Sequence, residues 1–142
     1  MIVVDTSIWV EGLRTRDSRQ AQILLSLLDH DKVALAAPVR VELLSGASNN
    51  NRPQLRRALS ALPVLYPTDE TWRAIDEWVE RAARRGDRFD LGDLLIGALA
   101  AETGALIWSL DTDFVRMEAL GLVQRFEPPD DADEYDRHRK GN

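Results

Sequence analysis

Four carboxylates stand where apolar stretches of this chain end or break. Asp5 closes the run Ile2, Val3, Val4; Glu42 lies inside Val39 to Leu44; Asp93 precedes Leu94, Leu95 and Ile96; and Asp111 follows Leu106 to Leu110. An ionised carboxylate is costly to bury beside such segments unless something positive compensates it. Acids drawn together from distant parts of a chain suit a hard divalent cation. Mg²⁺ and Mn²⁺ choose carboxylate and water oxygens, and they work where phosphate supplies further ligands. The chain has no cysteine, which excludes disulfides, thiolate zinc sites and a cysteine nucleophile together. Its two imidazoles are His30, at an expected helix end, and His138, in a polar C-terminal stretch. The acids therefore fit a phosphodiester reaction better than a zinc hydrolase. Ser7 and Ser109 lie close to two of them in sequence and can orient a water or an Asp oxygen.

Three of the four acids also have a purely structural explanation. Asp5 and Asp93 are placed to cap the helices that follow them, a role Asp favours. Asp111 and Asp113, in the stretch Leu110 to Phe114, suit a turn held by their own side chains. Glu42 resists such a reading, because a helix that buries Val41, Leu43 and Leu44 leaves little room to turn Glu42 to water. Arg40 is the only compensating charge near it.

The elements that must position these groups alternate. Ile2 to Asp5 and Val33 to Ala37 are short apolar runs without alternation, as parallel strands covered on both faces require. A short helix follows through Ile8, Trp9 and Leu13. The next helix opens at Asp17 or Ser18, with Gln20 completing a capping-box spacing. Pro38 and Pro53 each fit a first helical turn, and Val64 to Tyr66 is a candidate strand. Thr68 to Arg85 is the clearest helix, with Trp72, Ile75, Trp78, Val79 and Ala82 as its apolar face, Glu77–Arg81 and Glu80–Arg84 as i,i+4 pairs, and Gly86 as its stop. A helix from Asp93 to Glu102, a strand from Ala105 to Ser109, a helix around Val115 to Leu120 and a last strand over Leu122 to Phe126 complete the pattern. Strands alternating with helices give an α/β fold: one domain over residues 1–126 with a mostly parallel sheet of about 4–5 strands and helices on both faces. Residues 127–142 form a polar tail without apolar periodicity, expected to be disordered.

Composition narrows the class. The chain has 142 residues, 44% hydrophobic and 30% charged, which is one globular domain long enough to bury a core. Its net charge of −6 argues against holding nucleic acid by a general positive field. Local contacts remain available from arginine clusters: Arg14, Arg16 and Arg19; Arg52, Arg56 and Arg57; Arg81, Arg84, Arg85 and Arg88. No apolar run approaches the roughly 18–20 residues of a membrane span, and Asp5 interrupts the N-terminal run too early for a signal peptide. A cytoplasmic protein is expected.

Four segments then fall into a known order. Met1 to Trp9 (MIVVDTSIW), Val39 to Gly46 (VRVELLSG), Asp93 to Ala101 (DLLIGALAA) and Ile107 to Phe114 (IWSLDTDF) resemble the successive signatures of PIN domains, specifically of VapC-like toxin ribonucleases. The resemblance covers roughly residues 1–126. It implies a metal-dependent endoribonuclease acting as the toxin of a toxin–antitoxin pair. On the matching positions it implies Asp5, Glu42, Asp93 and Asp111 as catalytic residues. It further implies that Asp5, Asp93, Asp111, Asp113 and Glu42 hold Mg²⁺ or Mn²⁺, and that Ser7 and Ser109 support them. Ser109 stands where the family more often has Thr, which keeps the hydroxyl. Asp90, three residues before Asp93, is the other candidate for the third acid, although the Leu94 to Ile96 run favours Asp93. RNA as substrate, a cognate antitoxin and a homodimer are the implied partners. Independently of the resemblance, Trp9, Trp72 and Trp78 are more aromatic surface than short helices need; core packing is the first explanation for each, and packing of part of it between subunits is the second.

Other classes fit less well. A signalling receiver domain needs a lysine after a late strand, and this chain has no lysine between Lys32 and Lys140. A haloacid-dehalogenase-type phosphatase needs an aspartate two positions after the first, where Ser7 stands. A catalytically inactive PIN-like protein-binding module is the remaining alternative.

Overall fold

The computed structural model describes residues 1–129; residues 130–142, most of the expected disordered tail and with it His138, lie outside the described residues. Ile2–Val4 (β1), Val33–Ala36 (β2), Val64–Leu65 (β3) and Leu106–Trp108 (β4) form a sheet in the order β3-β2-β1-β4, with every pairing parallel. Around it lie Thr6–Arg14 (α1), Arg19–Asp29 (α2), Ala37–Gly46 (α3), Arg52–Leu59 (α4), Asp69–Arg84 (α5), Leu91–Thr103 (α6) and Asp113–Ala119 (α7). Successive strand residues point to opposite faces. Every residue of β1 and β2 is buried, so both faces of the sheet are covered. That is why these strands read as unbroken apolar runs. No helix among the described residues is long and apolar enough to cross a membrane.

The path of the chain creates the place for a site. From β1 it steps outward to β2 and β3, then returns through α5 and α6 to add β4 on the other side of β1. Strand order reverses between β1 and β4, and ligands of open parallel sheets bind beyond the carboxyl ends of the strands at such a switch point. Asp5 N–H donates to Trp108 O at 2.9 Å, which ties the ends of these two strands together.

Several expected elements differ in detail. A fifth strand over Leu122 to Phe126 does not form among the described residues. Arg125 makes a single parallel bridge to Ile107, while Leu122 and Val123 are buried, so core packing and not strand pairing accounts for their apolar character. α2 is capped by Ser18, whose hydroxyl accepts Ala21 N–H at 3.1 Å, and not by an Asp17–Gln20 box. In α5 the expected Ile75, Trp78 and Ala82 are buried and Thr71 joins them, while the expected Trp72 and Val79 lie at the edge of the stripe, each 47% exposed. Thr68 and Thr71 cap this helix reciprocally, and the buried Thr71 hydroxyl donates to Glu102 Oε2 at 3.0 Å. The expected Glu77–Arg81 and Glu80–Arg84 pairs are absent from the ion pairs of the described residues. Arg81 instead donates to Leu120 O at 2.7 Å, where the carbonyl end of α7 favours a cation.

α6 is the central helix of the fold. Its contacts with α5 and α7 depend on Gly97, where an added Cβ would come within 3.1 Å of Trp78 Cζ3 and 3.2 Å of Met117 Sδ. Gly104 ends α6 in the left-handed conformation at φ 68° and lets the chain turn directly into β4.

Candidate metal centre

Asp5 follows β1 and occupies the N-cap position of α1, yet its side chain makes no capping bond. Asp5 is only 6% exposed, and its Oδ2 accepts from Ser7 Oγ at 3.1 Å and from Ser109 Oγ at 2.6 Å. A buried carboxylate survives by such charge-assisted hydrogen bonds. The same hydroxyls organise the loop after β4. Ser7 Oγ accepts Leu110 N–H at 3.1 Å and Ser109 Oγ accepts Asp111 N–H at 2.9 Å. The capping explanation of Asp5 is thus replaced by a carboxylate held against the neighbouring strand.

Asp93 does not cap α6 either. The helix begins at Leu91 with Asp90 in the N-cap position, so Asp93 sits in the first turn. Asp90 is exposed and makes no capping bond with its side chain. Asp93, Asp111 and Asp113 each offer a carboxylate oxygen, and these oxygens lie within 4.8 Å of one another. Asp111 Oδ1 accepts Asp113 N–H at 2.9 Å, so the turn role open to these residues is also present. Glu42 and Asp5 are outside this three-acid group. Glu42 is exposed, and its Oε1 would lie 3.7 Å from a Cβ added at Gly92, which places it over the first turn of α6. The expectation that Glu42 has no way out to water fails because Val41 is 60% exposed; α3 buries Val39, Leu43 and Leu44.

Electrostatics mark the group as crowded with like charge. Burial, then the hydrogen bond with Asp113, then the charges of Asp111, Asp5 and Asp113 push the Asp93 carboxyl up to about 7. A carboxyl raised this far is only partly ionised near neutrality. Asp113 itself is lowered, first by its hydrogen bond with Arg116, although burial opposes this. Arg116 Nη2 donates to Asp113 Oδ1 at 2.5 Å and Nη1 to Asp87 Oδ1 at 2.8 Å, while its guanidinium carbon lies 4.7 Å from the centroid of the Phe89 ring. Arg116 thus joins α7 to the loop that leads into α6. It was not among the residues singled out in the sequence. Its spacing from Asp113 is a legible i,i+3 pair, but Asp87 and Phe89 are brought to it only by the fold. Oxygen-only donors crowded closely enough to raise one carboxyl this far are a set that Mg²⁺ or Mn²⁺ fits.

The other sequence candidates have structural work. His30 Nδ1 lies 2.7 Å from Ser26 O in its own helix, remote from the acids in sequence and exposed. Arg52 donates to Leu44 O at 2.9 Å, Ala47 O at 2.8 Å and Asn49 Oδ1 at 2.9 Å, closing the end of α3. Trp9 and Trp78 are core residues, leaving Trp72 as the exposed one of the three tryptophans singled out in the sequence.

Comparison with known proteins gives one consistent answer. Residues 2–120 match the family model described as PIN domain. The chain is 37% identical over 119 residues to VapC ribonuclease Mb1587 of Mycobacterium bovis, covering 80% of this chain and 89% of that protein. Ribonuclease VapC11 of Mycobacterium tuberculosis matches with the same identity and coverage, 37% over 119 residues. The fold is similar to that of VapBC2 from Rickettsia felis, solved bound to a DNA fragment from their promoter, with a TM-score of 0.73 at 18% identity, covering 91% of this chain and 100% of that one. With its strand order, its acids at the switch point and a family match across most of its length, this chain belongs to the PIN domain family.

Proposed function

We propose that this chain is a Mg²⁺- or Mn²⁺-dependent endoribonuclease that acts as the toxin of a toxin–antitoxin pair. The observation that carries the reading is the Asp93, Asp111 and Asp113 group beside the buried Asp5, where burial and the neighbouring acids push Asp93 up to about 7 and a cation would relieve the repulsion. Relatives named as VapC ribonucleases at 37% identity support RNA as the substrate. Asp5, Asp93, Asp111 and Asp113 are the residues to hold the metal, with Glu42 at the rim as a further ligand or proton acceptor. Bound there, one or two ions would activate a water and neutralise charge on the phosphate. Ser7 and Ser109 keep Asp5 in one orientation, and Arg116 keeps Asp113 ionised and directed into the group.

The partners follow from the same reading. A cavity of about 620 Å³ between α1, α3 and α4, lined by Val10, Leu13, Leu43 and Leu55 with Glu42 at its edge, offers apolar surface for an antitoxin protein. Exposed Trp72 and Val79, seven positions apart on α5, support a homodimer. We assign residues 1–126 to the nuclease domain and 127–142 to an extension, and the cytoplasm as the place of action. Incubating the purified protein with total RNA, with and without Mn²⁺, tests the function. Cleavage that requires metal and disappears in Asp93→Asn supports it; metal-replete protein that leaves RNA intact identifies an inactive binding module.

A further inference from the structure

A second concavity adjoins the acidic centre. It has a volume of about 260 Å³ and opens between the first turn of α2, the end of β4 and the segment after Arg125. Pockets for whole small molecules run from about 300 Å³ upward, so this one has the scale of a single base. Ser109 lines it and at the same time donates its 2.6 Å hydrogen bond to Asp5. A group in the pocket is therefore separated from the acidic centre by one side chain.

The lining has the chemistry that reads unpaired RNA. Trp108 and Phe126 line one part as an edge-to-face pair with centroids 5.5 Å apart. Arg125 is fixed by Glu118, which accepts its backbone N–H at 2.7 Å and its Nε at 3.3 Å, so its guanidinium plane is held in place. Gln20, in the first turn of α2, brings an amide that can both donate to and accept from a base edge. Arg19 beside it is exposed, positioned for a phosphate. Single-stranded RNA is recognised by such aromatic and guanidinium surfaces combined with hydrogen bonds to base edges.

We propose that this pocket is a nucleobase subsite, which receives the base of a nucleotide flanking the scissile phosphate and sets the sequence preference of cleavage. The inference rests on the ribonuclease reading above. Gln20 contacts the base edge, Arg19 contacts the adjoining phosphate, and the Arg125 plane and the Phe126 ring supply stacking surface. This would also explain how a chain of net charge −6 engages a polyanion, since the cationic contacts are local to the site.

The test maps cut sites in an RNA pool randomised around the cleaved position, using wild-type protein, Gln20→Ala and Arg19→Ala. Binding of an uncut RNA to each variant in the Asp93→Asn background is measured in parallel by anisotropy. Gln20→Ala should flatten the preference at one flanking position by about tenfold, the scale of one base-edge contact, and raise KM more than it lowers kcat. Arg19→Ala should weaken binding about evenly across sequences and reduce the salt slope by about 1. A wild-type protein that cuts while both variants keep its preference, affinity and salt slope overturns the subsite alone. A wild-type protein that cuts no RNA overturns the ribonuclease reading and the subsite with it.

Discussion

Ser109 Oγ donates to Asp5 Oδ2 at 2.6 Å, a bond that joins residues 104 positions apart and also lies one step from the N–H of Asp111. Removing the hydroxyl leaves a buried carboxylate one donor short, at a cost of about 1–3 kcal/mol. Ser109→Ala should therefore lower both the melting temperature and cleavage. Ser109→Thr, which retains the hydroxyl, should restore most of both. Equal losses in the two variants would show that packing, and not the hydrogen bond, matters at this position.

The acids predict an unusual pH dependence for the metal-free protein. Asp93 is raised from 3.8 to about 7, so the folded state favours its protonated form. The resulting stability is fully present below pH 3.8 and is lost as pH rises through about 7. Asp113 is lowered, so its contribution runs the other way and is lost at acid pH. Melting curves in chelator should thus fall between mildly acidic and neutral pH. Saturating Mn²⁺ should remove most of that slope, and Asp93→Asn should flatten it without metal. A flat profile in metal-free wild type would contradict the crowding described here.

Catalysis separates from folding at the same positions. Asp93→Asn and Asp111→Asn keep size and hydrogen bonding but remove a negative ligand. Cleavage should fall by more than the about 10–100-fold typical of losing a residue that merely supports a metal ligand. Circular dichroism and antitoxin binding should be retained. Wild-type cleavage rates in either variant would remove that residue from the metal site.

Arg116 offers a graded version of this experiment. It holds Asp113 and Asp87 together and packs on Phe89. Arg116→Ala should weaken Mn²⁺ binding by about 10–100-fold in calorimetry, as loss of a ligand-orienting partner does. Arg116→Lys should recover part of the affinity, because it keeps the charge but not the two-pronged grip. Unchanged metal affinity in both would confine Arg116 to the surface.

Gly97 tests the packing beneath the site. A methyl group there meets Trp78 and Met117 at 3.1 and 3.2 Å, so Gly97→Ala should destabilise by about 1–3 kcal/mol in urea unfolding. An unchanged midpoint would mean that α6 can shift away from its neighbours without loss.

What the sequence made legible was local chemistry. β1 and β2 were readable because burial on both faces leaves only apolar residues. Helix α5 was readable from Thr68 at one end and Gly86 at the other. Ile75, Trp78 and Ala82 mark the buried face of α5, but its edge is not legible, because Trp72 and Val79 carry apolar bulk on an exposed surface and hydrophobicity alone does not reveal where the stripe ends. Leu122 and Val123 had the composition of a strand but not its pairing, since tertiary packing employs the same residue types. Among the acids, Asp93 and Asp111 were marked by their apolar neighbours. The prominence of Asp113 was less legible, because it depends on Arg116, which is fixed by an ion pair with Asp87 across 29 residues.

The strand order also sets a time of onset. Asp5 follows β1, but its hydrogen-bond partner Ser109 follows β4, 104 positions further along and the last strand in chain order among the described residues. Pairing over such sequence distances is slow to form and depends on the whole intervening chain being available. Asp5 therefore stays without the partners that complete the centre until β4 has joined the sheet. A partly folded chain thus presents isolated carboxylates and no assembled site, and the acids come together only when the sheet closes on its fourth strand.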